Sequence, residues 1–249
     1  MRPFDNAAAM AIGGATIAQT SLSAGIANDA RLGMGECAGM FAGSAIPYGV
    51  SGWQTAHFQG FIGFEKNSGL ALDVTHNGTD AYAEQCFRVQ YGRRLSKKFC
   101  LGANLGLARA SVPEYSSASA PTFGIGLLAQ ALPKLSIGAS VQNPIQPKLA
   151  DAPLPTLLRI SAGWKTSEIF SLLAEMEKDI DRPVQVKAGL EYRPAASVLV
   201  VRAGVRSGTV ARAAFGLGLR LKNGISLDVA SEWHPTLGIT PAAMVAWRR

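Results

Sequence analysis

The sequence predicts an all-β chain: a closed antiparallel transmembrane β-barrel of about 14 strands. Three observations predict it. Apolar residues alternate with small or polar ones over segments of about 8–14 residues. Soluble strands usually run about 5–6, and a tilted strand needs about 9–11 to cross a bilayer. The 249-residue chain is poor in charge, with 16% charged and 48% apolar residues and a mean hydropathy of +0.15. Its 27 glycines fall largely inside strand-like segments, where glycine is normally depleted.

The segments run 36–48, 52–64, 69–76, 81–94, 98–111, 119–131, 134–143, 156–164, 169–179, 183–193, 196–206, 210–221, 224–232 and 240–248. Their two faces differ in kind. Leu101, Ala103, Leu105 and Leu107 alternate with Gly102, Asn104, Gly106 and Ala108. Val184, Val186, Ala188 and Leu190 alternate with Gln185, Lys187, Gly189 and Glu191. Ala213, Phe215, Leu217 and Leu219 alternate with Arg212, Ala214, Gly216, Gly218 and Arg220. The first face of each carries no charge and suits lipid. The second suits a narrow lumen, where side chains converge from all around the ring. An open sheet would leave two unpaired edges in hydrocarbon, so the first and last strands are expected to pair.

Alternate connections share a parity. One set is short and basic: Lys66 to Ser68, Ser96 to Lys98, Pro133-Lys134, Lys165 to Ser167, Arg193 to Ala195 and Lys222 to Gly224. The long connections, 112–118, 142–155 and 232–239, fall in the other set. Outer-membrane barrels show this contrast, with short turns on the periplasmic side. Residues 1–35 do not alternate cleanly. They form an N-terminal segment, a plug or lid, ahead of the barrel domain 36–249, and residues 7–18 suit a short helix. Arg2 followed by that apolar stretch has the outline of a signal peptide, but Asp5 and Gly13-Gly14 argue against it. A processed start with an added Met1 is expected, the export signal being removed or lying outside this chain.

Net charge is +7, with a pI near 9.5. The basic residues sit in turns rather than on one face, so no nucleic-acid partner is expected. Cys37, Cys86 and Cys100 lack metal or redox spacing. Cys86 and Cys100 fall on neighbouring strands, which leaves a disulfide open. No metal, cofactor or catalytic site is expected: Gly216-Leu217-Gly218 has no helix after it, and Ser51, His57 and Asp73 form no nucleophile arrangement. The one polar constellation is a lumen charge cluster of Glu175, Lys187, Glu191 and Arg202. A hairpin centred on Asp181 sets Glu175 opposite Lys187, with Glu191 diagonal to Arg202. Arg88, Arg159, Arg212 and Arg220 also face inward, with Asp73 and Asp228 available to them. Trp53, Phe64, Tyr91, Trp164, Tyr192 and Trp247 near strand ends suit an interfacial girdle.

The opening Arg2-Pro3-Phe4-Asp5-Asn6-Ala7-Ala8-Ala9-Met10-Ala11-Ile12-Gly13-Gly14 resembles the mature N-termini of PorV/PorQ-like barrels of Bacteroidota, within the wider FadL-like group of outer-membrane proteins. Gln142 to Ile145, Pro153 to Gly163, Glu175 to Asp181, Ala188 to Tyr192 and Arg202 to Gly204 carry the same likeness. The resemblance implies a bacterial outer-membrane location. It also implies an accessory or adaptor subunit of a larger outer-membrane protein secretion machine, with lipid and other outer-membrane or periplasmic proteins as partners. The alternative expectation is a FadL-like passive conduit for small hydrophobic compounds. Modest outer loops and a charge-filled lumen favour the adaptor.

Overall fold

The structure, a computed structural model, describes residues 5–22, 24–35, 38–64, 67–113, 115, 117–194 and 198–249. Residues 2–4 of the N-terminal motif, Cys37, Lys66 and Ala195 lie outside them. A helix α1 (Ala7–Ala11) is followed by strands β1 (Ala38–Ala45), β2 (Gln54–Phe64), β3 (Ser68–Gly78), β4 (Ala83–Ser96), β5 (Phe99–Ser111), β6 (Ala118–Leu132) and β7 (Leu135–Gln142). Then come the two-residue strands β8 (Lys148–Leu149) and β9 (Ala152–Pro153). The chain closes with β10 (Leu157–Lys165), β11 (Phe170–Asp179), β12 (Gln185–Tyr192), β13 (Leu199–Arg206), β14 (Arg212–Arg220), β15 (Ile225–His234) and β16 (Gly238–Arg248).

All strands except β8 and β9 form one closed barrel. Each pairs antiparallel with its sequence neighbour, β7 passes directly to β10, and β1 pairs with β16 from Gly39 opposite Arg248 to Ala45 opposite Ala242. Closure satisfies both edges, as hydrocarbon demands. The barrel is therefore 14-stranded, and its strand ends lie within three residues of the expected ones.

The burial pattern inverts that of a soluble sandwich. Leu101, Ile137, Val186, Leu217 and Leu227 are 38–50% exposed on the outside, and Leu105 reaches 69%. Arg202, Glu175, Glu191 and Asp73 are each 2% exposed on the inside. Only a lipid environment makes an exterior of exposed Leu, Ile and Val stable together with a charged interior. A charge placed on the outer face near mid-strand thus has a large expected cost. Leu217→Arg is predicted to lower folding stability in a bilayer by about 2–4 kcal/mol, read as a drop in the urea midpoint. Leu221→Arg, just beyond the end of the same strand, is predicted to cost about 1 kcal/mol or less.

Helix α1 is shorter than the residues 7–18 expected. Asn6 starts it, its Oδ1 accepting the Ala9 N–H at 3.0 Å. Gly13 and Gly14, at φ 66° and 76°, turn the chain out of the helical region and end it. Its Ala7, Ala8, Ala9, Met10 and Ala11 are all buried, because the helix lies inside the barrel against β13–β16. A 3-10 turn, Asp29–Met34, lies against the opposite wall formed by β3–β6. The N-terminal segment thus crosses the lumen from wall to wall.

Candidate functional site

The lumen glycines are landing sites for that segment. A Cβ on Gly204 would sit 2.1 Å from Gly13 N, and one on Gly102 would sit 2.3 Å from Ala30 N. Backbone meets backbone at both walls, which any side chain would prevent. Hydrogen bonds then pin the segment around the ring. Glu175 Oε2 accepts the N–H groups of Thr16 (2.9 Å) and Ile17 (3.0 Å). Gln59 both accepts from Ile26 N (2.8 Å) and donates to Ile26 O (3.1 Å). Gln90 and Asn104 donate to the two oxygens of Asp29 at 2.8 and 2.7 Å. Burial raises the Asp29 carboxyl above its ordinary range, the Asn104 hydrogen bond opposing it. Burial also works to raise Asp5, but Arg206, Lys187 and Arg159 outweigh it and hold that carboxyl low.

The four residues of the expected charge cluster separate into two groups. In one, Lys187 Nζ reaches Glu175 Oε1 at 3.1 Å and Glu177 Oε2 at 2.7 Å. Glu175 stands directly opposite Lys187, and this group also holds the plug. In the other, Arg202 Nε donates to Glu191 Oε2 at 2.7 Å, and its Nη1 reaches across β14 to Asp228. It passes over Gly218, where a Cβ would meet Asp228 Oδ1 at 2.3 Å. These groups are buried and internally paired, which is the chemistry of fastening rather than of proton transfer.

Above the plug, at the end where the long connections lie, a cavity of about 270 Å³ opens. Met10, Ala45, Pro47, Tyr48, Trp53 and Asn77 are among its lining residues. Tyr48 is held at φ 54°, its N–H donating to Thr240 Oγ1 at 2.9 Å. Tyr48 and Gly49, at φ 54° and 69°, form a tight turn in the β1–β2 connection, closed by the Val50 N–H donating to Pro47 O at 3.0 Å. The Tyr48 ring meets Trp53 and His234 edge-on, with centroids 6.2 and 5.7 Å apart, and the Arg212 guanidinium lies 6.0 Å from it. Arg206 pairs with Glu232 (2.6 Å) and Asp5 (3.1 Å), and Arg212 with Glu232 (3.2 Å). A cavity of about 40 Å³ lies alongside this segment, between Asn6, Thr16 and Ile26 and the wall at His57 and Arg159, and one of about 70 Å³ lies at the short-turn end, by Gln19, Lys165 and Arg193. The 143–156 connection folds inward too: Leu149 and Leu154 pack on the inward Ala108 and Ala120.

The fold recurs in solved structures. The toluene transporter TbuX of Ralstonia pickettii matches with a TM-score of 0.75 at 13% identity, over 98% of this chain and 97% of that one. A FadL homologue of Pseudomonas aeruginosa matches at 0.68 and 12%, over 100% and 98%. The fold is that of the FadL-type barrels. The Pseudomonas putida toluene transporter TodX matches at 0.67 and 10%, over 100% and 98%. No protein-family model matches the chain, and a sequence search of curated proteins finds no match either.

Within this barrel, several expectations are corrected. Glu191 lies directly opposite Arg202, not diagonal to it. Of the four inward arginines, Arg88 takes Asp73 (2.7 Å) and Arg212 takes Glu232, whereas Asp228 goes to Arg202. Cys86 and Cys100 are both free: Cys86 faces Ala108 and Cys100 faces Arg94, far apart along one ladder. Phe64, Tyr91, Trp164, Tyr192 and Trp247 lie outward at 36–52% exposure, toward the short-turn end. Trp53 does not join them. Its indole donates to Asn77 Oδ1 at 2.9 Å and its side chain lines the mouth cavity. The mouth residues Tyr48, Asn77 and Thr240 escaped the sequence reading, since nothing in their spacing marks a site.

Proposed function

We propose that this chain is a bacterial outer-membrane channel that admits small hydrophobic compounds, with no catalytic step of its own. The observation that carries the reading is the end-to-end match, barrel and N-terminal segment together, to transporters named for toluene. The ring-lined mouth cavity supports it, being large enough for a small aromatic molecule. The short basic turns then face the periplasm and the mouth faces outward. Both supports favour the conduit over the adaptor subunit. The modest outer loops count less against capture than expected, because the cavity is built inside the mouth from strand ends and the β1–β2 connection.

Passage in this reading requires the plug to shift, since it stands between the mouth cavity and the cavity at the short-turn end. The test is uptake of radiolabelled toluene by an outer-membrane transport-deficient bacterium producing the chain. Uptake several-fold above the empty-vector strain is expected. Uptake equal to that strain, with a stoichiometric secretion-machine partner recovered in mild detergent, would return the assignment to the adaptor.

A further inference from the structure

The mouth cavity is not uniformly apolar, and its polar groups have a direction. Asn77 Oδ1 accepts two hydrogen bonds, from Trp53 Nε1 at 2.9 Å and from Thr55 Oγ1 at 2.8 Å. An indole N–H can only donate, so it fixes the amide with the carbonyl toward Trp53. The Asn77 amide nitrogen is left as a donor, without a hydrogen bond among the described residues. Thr240 behaves alike. Its Oγ1 accepts the Tyr48 N–H at 2.9 Å, which frees its own hydroxyl proton to donate. Asn77 and Thr240 both line the cavity.

The cations there are already paired. Arg206 and Arg212 are engaged by Glu232 and Asp5, and Glu84 adds a further carboxylate, which accepts the Tyr82 hydroxyl at 2.9 Å. Among the described residues that line the cavity, no cation is left unpaired for an anionic ligand. A plain hydrocarbon seated here would strip water from two donors and give nothing back. An aromatic ring bearing an oxygen would fill the same space and accept from them.

We infer that the mouth cavity selects small, uncharged aromatic compounds that carry a hydrogen-bond acceptor, such as aryl ketones, over plain hydrocarbons and over anions. The inference rests on the conduit reading and narrows its substrate class. It gives Asn77 and Thr240 the task of discrimination, and the Tyr48 and Trp53 rings the task of holding the apolar body.

Isothermal titration calorimetry on the full chain in lipid nanodiscs, with empty nanodiscs subtracted, tests it using acetophenone, isopropylbenzene and benzoate. Acetophenone is expected to bind about fivefold to tenfold more tightly than its near-isostere isopropylbenzene, the ratio one net hydrogen bond gives, and more tightly than benzoate. Asn77→Asp keeps an oxygen for Trp53 and Thr55 but removes the amide donor, and is expected to lower the preference for acetophenone. Thr240→Val, which deletes the other donor, is expected to reduce it. Heat-modifiable gel migration confirms that each variant is folded. Equal binding of acetophenone and isopropylbenzene by the unmodified chain, tightest binding by benzoate, or an unchanged ratio in both folded variants would overturn the selectivity alone. No binding of any of the three would remove the conduit reading with it.

Discussion

Arg202→Met is expected to destabilise the barrel by about 3–5 kcal/mol, the usual cost of stranding a buried charge. Arg202 is 2% exposed and spans two carboxylates on different strands, Glu191 on β12 and Asp228 on β15. Glu191 retains Arg193 as a second partner, whereas Arg202 is the ion-pair partner of Asp228. Removing the guanidinium therefore leaves Asp228 buried without its ion-pair partner, with Arg248 as the other cation acting on it among the described residues. The measurement is urea unfolding of the refolded protein in lipid bilayers, with the midpoint shifted and the slope unchanged. Adding Asp228→Asn to Arg202→Met is expected to recover much of the loss, because an amide tolerates burial far better than a carboxylate. An unfolding free energy within about 0.5 kcal/mol of the unmodified protein, the range of an ordinary surface change, would show that the cluster does not fasten the wall.

The second large effect is expected at the plug. Gly102→Val combined with Gly204→Val should expel the N-terminal segment from the lumen. At each site the new Cβ lands on backbone atoms, at 2.3 and 2.1 Å, so no flexible side chain can yield. Overpacking of this kind costs about 1–3 kcal/mol per site, and the two sites lie on opposite walls that the segment must satisfy together. Barrel closure does not depend on the segment, since β1 pairs with β16 throughout. The barrel is thus expected to stay folded while the plug leaves. Planar-bilayer recordings should then show ion conductance that the unmodified protein lacks, and protease should cut within residues 5–35. Unchanged conductance and unchanged protection would mean that the segment accommodates the added methyl groups by sliding along the wall.

The wall of this protein was legible because its signals are local. Each strand declares itself over about ten residues, with Leu101, Leu105 and Leu107 on one side and Gly102, Asn104 and Ala108 on the other. Hairpin centres even gave the pairing of Glu175 with Lys187 across a short connection. The same reasoning misplaced Glu191 relative to Arg202, because a connection of uncertain length shifts the register between strands. Trp53 went astray for another reason. A strand-end aromatic can face lipid or lumen, and what turned it inward was a partner, Asn77, on the next strand.

The amino-acid sequence by itself determined that the chain closes into a barrel with one uncharged and one glycine-and-charge face, since period-two alternation over membrane-spanning lengths leaves backbone groups no other way to be satisfied. What fills the barrel was decided only in three dimensions. The plug docks through glycines and polar groups drawn from nearly every strand, 159 residues away in the case of Thr16 and Glu175 and 191 in that of Gly13 and Gly204. The mouth cavity likewise assembles Tyr48, Asn77 and Thr240 from distant strand ends. Such contacts depend on the convergence of the whole ring on its axis, a property of closure that no single segment encodes.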